Sequence, residues 1–361
     1  MKVLIAGSSW HHPMYEAAWK IALEKLGNNV VEFSTLPSRR NIFSRIEQKY
    51  SLNGIYSREI QNRLIEAVLI EKPDVVLVWL GTGVFPETIR KLKKYSKSVI
   101  VNYIHDDPFS HRLNAVSPRF HWLFYRQFIK SLPYYDHVFF SKKINVEEAR
   151  SFGCHNASVL MQYYLPDFHC PQLALEVSED FVCDVAFAGH FEPDGRDRCI
   201  NHIAELGYRI NIYGDSTWKK SSLDLLNPNL KLLPRANGSD YPRAISNAKI
   251  SLCFMSKMNR DDYTTRCFEI PAIGSLLLSE RTAPLMALYE ENVEAVFFSN
   301  EEELLKKIST LMANTGLITD IAIKGNKKVI SSKQSVDDRV SSFIGAIGEV
   351  EALRLKETIL K

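Results

Sequence analysis

Apolar residues fall into short unbroken runs, separated by longer stretches in which they return every three or four positions. The first series of runs covers residues 3–6, 30–33, 75–80, 99–104, 137–140 and 158–161. Runs of this length without alternation describe strands buried on both faces, as in parallel sheets, while stretches such as 15–26 and 58–71 have helical periodicity. The second of these helices meets Lys72-Pro73-Asp74, where proline has no N–H to continue it and the chain restarts as a strand. Six such units fill residues 1 to about 165. A linker of weak periodicity follows, with Leu165-Pro166-Asp167 and Cys170-Pro171 at its start and Glu176, Glu179 and Asp180 raising its polarity. A second series opens at Cys183-Asp184-Val185-Ala186-Phe187-Ala188-Gly189 and continues through 209–213, 230–233, 249–254, 274–279 and 295–298. The pattern predicts an α/β chain of two doubly wound domains, residues 1–168 and 169–339, with a helix over 340–361 packing back on the first. Several strands run into Gly or polar residues, as at Gly189, Gly214-Asp215 and Ser279-Glu280, where such sheets place ligand loops. Two such domains facing across a cleft suit an enzyme with one substrate on each.

Composition narrows the class. A chain of 361 residues with 45% hydrophobic and 24% charged residues is globular, not disordered or fibrous. No apolar run approaches the roughly 18 residues a membrane helix needs, and Met1 to Gly7 reads as a strand, not a signal peptide. A cytoplasmic protein is expected. The six cysteines form no CxxC pair and sit mostly in apolar stretches, so they read as reduced and structural. Charge is unevenly spread: residues 1–170 hold 22 Lys and Arg against 15 Asp and Glu, and the remainder 23 against 27. Part of the first excess, Arg90, Lys91, Lys93, Lys94 and Lys97, has the spacing of a solvated helix face. The aromatic and basic stretch 119–130 reads as a buried helix, but its Arg119, Arg126 and Lys130 make an anionic membrane surface, at the inner face, a candidate partner. The first strand leads into Gly7-Ser8-Ser9-Trp10-His11-His12, which lacks the GxGxxG fingerprint of a dinucleotide site.

The most informative segment is Asp261-Asp262-Tyr263-Thr264-Thr265-Arg266-Cys267-Phe268-Glu269-Ile270-Pro271-Ala272-Ile273-Gly274, followed by a buried strand. It resembles the donor-binding motif of GT-B glycosyltransferases, in particular the CgeB-like (spore-maturation-protein-like) family, in which R-x-F-E-I-P-A-x-G forms a short helix before a strand. The resemblance extends over most of the chain: Asp184 to Gly189, Gly195-Arg196, Ile212-Tyr213-Gly214-Asp215, the stretch Tyr241 to Ser251, and, earlier, His105-Asp106-Asp107-Pro108 and Tyr164-Leu165-Pro166. Their order and spacing carry the match.

The resemblance implies a GT-B fold of two Rossmann-like domains and a metal-independent glycosyltransferase of surface-polysaccharide type. It would move a hexose-type unit from a UDP- or GDP-sugar to a hydroxyl of a glycan or glycoconjugate. No cofactor is expected, and no nucleic acid partner. A diphosphate leaves with growing negative charge, so Arg266, near a helix N-terminus, is the candidate phosphate partner. Glu269, one turn on, is implied to meet the ribose hydroxyls; Asp261 echoes the E-x7-E spacing of retaining enzymes, with Asp in the first place. Gly189, His190 and Arg196 lie where related enzymes contact phosphate; Arg235 lies at the nucleobase edge; Tyr213 and Gly214 shape the site. His105 ends a strand where many such enzymes touch the donor sugar, and Asp106 or Asp107 is a candidate general base. The same trio also fits a capped turn, and the Asp pair is not read as a Mg²⁺ site. His11 or His12 would lie near the acceptor, or form a plain turn. Two alternatives share these features, a sugar-nucleotide 2-epimerase and a non-catalytic sugar-nucleotide-binding protein.

Overall fold

The central apolar runs become strands buried on both faces, while the edge runs at 29–34 and 157–159 stay partly exposed. The structure, a computed structural model, describes residues 1–7, 13–110, 118–171, 179 and 181–359. They form two compact units, Met1–Met161 with Val336–Lys361, and Gln162–Ser335. The break after Met161 assigns 162–168 to the second unit, where the sequence pattern placed it in the first. Residues 336–339 likewise belong with the closing helix, not with the second domain.

Unit one holds strands β1 (Lys2–Gly7), β2 (Asn29–Ser34), β3 (Val75–Trp79), β4 (Val99–Ile104), β5 (His137–Phe140) and β6 (Ala157–Val159). They form one parallel sheet in the order β2-β1-β3-β4-β5-β6. Chain direction across the sheet reverses between β1 and β3, the switch point where ligand loops gather. Helices α1 (Pro13–Lys25), α2 (Ile42–Lys49), α3 (Ile55–Glu71), α4 (Pro86–Tyr95), α5 (Pro118–Ser131) and α6 (Lys143–Arg150) connect the strands. Lys72 ends α3 in a left-handed conformation (φ 46°), and Pro73 then directs the chain into β3.

The last helix, α13 (Val336–Ile359), returns to unit one and packs on α1. Aromatic burial holds it there. Trp19 of α1 has no solvent exposure; its ring stacks on Tyr103 at 5.1 Å and meets Trp79 and Phe343 edge-on at 5.4 and 5.3 Å. Such pairs add to the area they bury, so Phe343 brings the distant C-terminal helix into the core of the first sheet. At the helix's far end, Arg354 Nη1 donates to the Ser98 carbonyl at 3.0 Å.

Unit two repeats the plan with β7 (Cys183–Ala188), β8 (Ile210–Gly214), β9 (Leu230–Pro234), β10 (Ala248–Cys253), β11 (Leu276–Glu280) and β12 (Val296–Phe298), in the parallel order β12-β11-β10-β7-β8-β9. Its helices are α7 (Arg196–Glu205), α8 (Asp240–Ser246), α9 (Arg266–Ile273), α10 (Ala283–Leu288), α11 (Glu301–Met312) and α12 (Thr315–Ser331). The switch point lies between β7 and β10. Both strands therefore deliver the residues just past their carboxyl ends, Gly189 and Met255, to one edge.

No helix among the described residues is long and apolar enough to cross a membrane. The six cysteines are free.

Trp218, in the tight turn after β8, fastens two of these strand ends. Its indole N–H donates to the Gly189 carbonyl at 2.9 Å, and its ring edge lies over Gly214 so closely that a Cβ there would stand 2.2 Å from Cδ1. The indole is too large and too buried to give way, so Gly214→Ala should cost about 1–3 kcal/mol, the usual range for overpacking. A denaturant titration checks this; an unchanged midpoint would show that the ring is not fixed against the strand.

Candidate functional site

Helix α9 carries the motif and is built against its own sequence. Pro271 lies inside it and has no N–H, which leaves the Cys267 carbonyl without its helical donor. Tyr289 supplies one, its hydroxyl donating to the Cys267 carbonyl at 2.9 Å. Asn326 Nδ2 donates to the carbonyls of Pro271 and Ala272, both at 2.9 Å, and Gly274 closes the helix in the left-handed conformation (φ 90°). At the other end Thr264 Oγ1 accepts the Arg266 N–H, the Thr264 carbonyl that of Cys267, and the Thr265 carbonyl those of Phe268 and Glu269. The first N–H groups thus bond within the protein, and the helix offers an anion the field of its dipole together with Arg266.

Around α9 the structure brings together Arg266, Glu269, Tyr241 and a residue the motif does not contain, His169. Arg266 Nη1 donates to Glu269 Oε2 at 2.7 Å, its Nε to the Ala188 carbonyl at 3.3 Å, and its guanidinium lies 4.6 Å from the centre of the Tyr241 ring. The Tyr241 hydroxyl donates to Glu269 Oε2 at 2.9 Å. The Glu269 side chain is completely buried, whereas that of Arg266 is 34% exposed. Charge therefore reaches the surface only on the cation. His169 Nδ1 accepts the Leu165 N–H at 3.0 Å, which places the ring proton on Nε2, 3.8 Å from Glu269 Oε1. Burial pushes the His169 pKa down, against the pull of Glu269, so the ring is neutral. Its only local signal was the Tyr164-Leu165-Pro166 segment just before it; nothing in the spacing joined it to Glu269.

The loops beside this cluster are braced by a second buried set. Arg196 is almost wholly buried. It donates to both Asp194 carboxylate oxygens at 2.6–2.8 Å and to the His190 carbonyl at 2.9 Å, and stands 5.7 Å from the Phe254 ring centre. Its hydrogen bonds hold the loop after β7, so its guanidinium is engaged within the protein where a phosphate contact was expected of it. Glu192 accepts from the His190 ring at 2.9 Å and from the Lys257 N–H at 3.1 Å, linking that loop to the one after β10. Burial alone would raise its pKa, but hydrogen bonds from His190 and Ser256, with Arg196 nearby, hold it down at about 2. Asp261 sits on the turn after β10, its N–H bonded to the Ser256 carbonyl at 2.9 Å and its Oδ1 to Asn259 at 2.7 Å. At the β8 and β9 ends, Arg235 pairs with Asp215 at 2.9 Å and is mostly exposed. Tyr213 is buried in an apolar cluster with Cys183, Ala186 and Ala244, so it shapes the sheet from behind.

In unit one the expected trio separates. Asp107 is fully buried and accepts from the Phe109 N–H at 2.9 Å and from Asn145 at 2.8 Å, a capped turn. Asp106 accepts from the Tyr125 hydroxyl at 3.0 Å. The His105 ring stands at the end of β4, 6.3 Å from Trp79 and 6.2 Å from Tyr103. His11 and His12 lie outside the described residues.

A carboxyl group absent from the motifs stands at the switch point instead. Glu16, in the first turn of α1, lies over the end of β1, with Oε2 2.5 Å from where a Cβ on Gly7 would be. Burial, aided by Glu32, raises the Glu16 pKa from 4.5 to about 7. Such a group costs folding nothing below pH 4.5, and the cost grows to about 3 kcal/mol as pH rises through 7. Glu16→Gln should therefore change stability by an amount that favours the variant more at pH 8.5 than at pH 4.5. Parallel melting curves for both proteins would rule this out.

The comparisons with known proteins agree with this architecture. Residues 196–345 match the family model described as Glycosyl transferase-like. No curated protein matches the chain. Among solved structures, sucrose-phosphate synthase from Thermosynechococcus elongatus superposes with a TM-score of 0.70 at 11% identity, over 98% of this chain and 100% of that one. The Anabaena protein HepE, solved in complex with UDP-glucose, gives 0.65 at 13% identity, over 97% and 100%. A Listeria monocytogenes protein assigned as a UDP-N-acetylglucosamine 2-epimerase gives 0.57 at 13%, over 96% and 95%. The chain has the two-sheet GT-B fold, and the stretch 196–345, most of its second unit, carries the pattern of the Glycosyl transferase-like family.

Proposed function

We propose that the chain is a glycosyltransferase that transfers a hexose-type sugar from a nucleoside-diphosphate donor, UDP or GDP, to a hydroxyl of a glycan or glycoconjugate. The observation that carries the reading is Arg266, a partly exposed guanidinium held by Glu269, Ala188 and Tyr241 beside the switch point of the second sheet. The family match over 196–345 and the UDP-glucose complex of HepE support it. The order of the motifs favours a CgeB-like member, and the six free cysteines fit the reducing cytoplasm.

In the proposed reaction an acceptor oxygen bonds to the anomeric carbon as that carbon's bond to the phosphate oxygen breaks. The diphosphate takes the electron pair, and Arg266 meets its new charge. Glu269 fixes the guanidinium through its Oε2; its carboxylate is completely buried, so a ribose contact of its own requires the cluster to open when the donor binds. Asp261 stays a candidate for the donor sugar, and Arg235 for the base. The acceptor proton passes to a group of unit one. Asp107 is committed to its turn, which leaves His105, Asp106 and Glu16, and Glu16 has the proton affinity suited to a base near neutral pH. The structural likeness to the Listeria protein keeps an epimerase as the second reading. It would yield a new nucleotide sugar and no free diphosphate.

Calorimetric titration with UDP and GDP tests the donor site. Arg266→Ala should weaken the better ligand by about 1.5–3 kcal/mol, the worth of hydrogen bonds to a charged group. His105→Ala should leave that affinity within about threefold while lowering kcat, as expected of a group that contributes in the transition state and not to nucleotide binding. Unchanged affinity in Arg266→Ala would sink the assignment.

A further prediction concerns metal. Asp107 and Asp106 both accept hydrogen bonds within unit one, from Phe109 and Asn145 and from Tyr125, so the pair is engaged by the protein. Transfer should then persist in EDTA, and a loss restored by Mg²⁺ would show that a metal carries the diphosphate.

A further inference from the structure

Residues 38–58 of unit one present a surface that the proposed reaction leaves unused. The charged residues exposed along this segment are Arg39, Arg40, Arg45, Lys49 and Arg58, all cationic. Among them stand four exposed aliphatic or aromatic side chains: Ile42 and Phe43 at 68%, Ile46 at 41% and Ile55 at 80%. At about 100° per residue, the exposed positions of α2 fall on one arc of about 160°, with Arg45 and Lys49 at one border, Phe43 at the other, and Ile42 and Ile46 between.

The two acids of this region are each engaged by neighbours, Glu47 inside the fold and Glu59 at its partly exposed edge. Glu47 accepts the Ser57 N–H at 2.9 Å and fills the space beside Gly54, where a Cβ would meet its carboxylate at 2.0 Å. Glu59, just beyond, bonds to the Ser38 hydroxyl and lies 3.7 Å from Arg63. The surface is also firmly mounted. The Ser51 carbonyl, after α2, accepts from Arg126 Nη2 at 2.8 Å and Gln127 Nε2 at 3.1 Å, and the Ser51 hydroxyl donates to the Phe124 carbonyl at 2.7 Å. Arg126, which the sequence offered as a lipid contact, is thus the support on α5 that holds the α2 segment outward.

We propose that the face of Arg39, Arg40, Ile42, Phe43, Arg45, Ile46 and Ile55 docks on an anionic lipid bilayer. Charge complementarity selects this occupant. Lipid phosphates meet the cations while the acyl boundary takes the apolar side chains, the pairing by which an amphipathic helix lies in the interface. A second copy of the chain docking isologously would set three cations against three. Four apolar side chains on a nucleic acid backbone would gain nothing. The face needs nothing from the reaction proposed above, and its test reads binding alone.

The experiment is co-sedimentation of the full chain with vesicles of phosphatidylcholine, and of phosphatidylcholine mixed equally with phosphatidylglycerol. The parent should partition at least about tenfold better onto the anionic vesicles, and 0.5 M salt should remove most of that gain. Ile42→Ser with Phe43→Ser, and separately Arg39→Ser with Arg40→Ser and Arg45→Ser, should each lower binding about tenfold or more. All five side chains are exposed, so melting temperatures should stay at the parent value and certify the fold. If one variant set fails to fold, the other decides. Equal partition of the parent on both vesicles, or parental binding by a folded variant, overturns the proposal. So does a solution dimer that Phe43→Ser dissolves in a chain that ignores vesicles, which would make the face a contact between copies.

Discussion

A carboxylate shut away from water must find its counter-charge inside the protein, and the second unit is organised around one. Glu269 has no solvent exposure, so Arg266 and the Tyr241 hydroxyl complete its first oxygen, and the neutral His169 ring closes on the second. Removing either charge alone would strand the other, which is why such pairs resist piecemeal change. The helix that presents the carboxylate is itself interrupted by Pro271, and its free carbonyl ties α9 to Tyr289. Requirements therefore run outward from one buried charge: a tyrosine from α8, a histidine from the segment 162–171, a hydroxyl from beyond α10. What emerges at the surface is a guanidinium whose position is over-determined, and a fixed cation is what a departing diphosphate needs.

Much of the fold could be read from the chain because parallel strands buried on both faces leave contiguous apolar runs that few other structures produce. Val75–Trp79 and Val99–Ile104 are buried throughout, and both stood out as runs. Tertiary pairing was harder to see. Arg196 was a candidate phosphate contact because it lies after the first strand of the second domain, where related enzymes make one, yet its donors are engaged by Asp194 and the His190 carbonyl. The distinction lies in loop geometry, not in residue type. Glu16 escaped notice for the opposite reason. It sits in an ordinary amphipathic helix, and its raised proton affinity comes from burial between separate elements and from Glu32 on β2. The domain boundary moved for a related reason, since the segment 162–168 is short, polar in part and without periodicity, and only its bonding to Gln334 and His169 assigns it to the second unit.

The unequal charge of the two halves takes on structural meaning once each carboxylate is placed. The second unit is the more acidic, but many of its acids are spent internally: Glu192 and Asp194 on the Arg196 brace, Glu280 on Lys257 and the Met255 N–H, Glu291 and Glu303 on Arg281. These carboxylates stiffen the strand ends that carry the candidate donor site and present little negative field to an incoming diphosphate. In the first unit the arrangement is reversed. Glu47 turns into the protein and Glu59 is held at the surface by Ser38 and Arg63, while Arg39, Arg40 and Arg45 turn out. A net excess of cations therefore becomes a local one, concentrated where Ile42, Phe43 and Ile55 are also exposed. Exposed apolar side chains are costly to a protein surrounded only by water and are tolerated singly, but a cluster of them inside a one-signed field calls for a matching surface. The same chain thus uses its charges in two ways: neutralised in pairs where a loop must hold still, and left outward where a partner must be found.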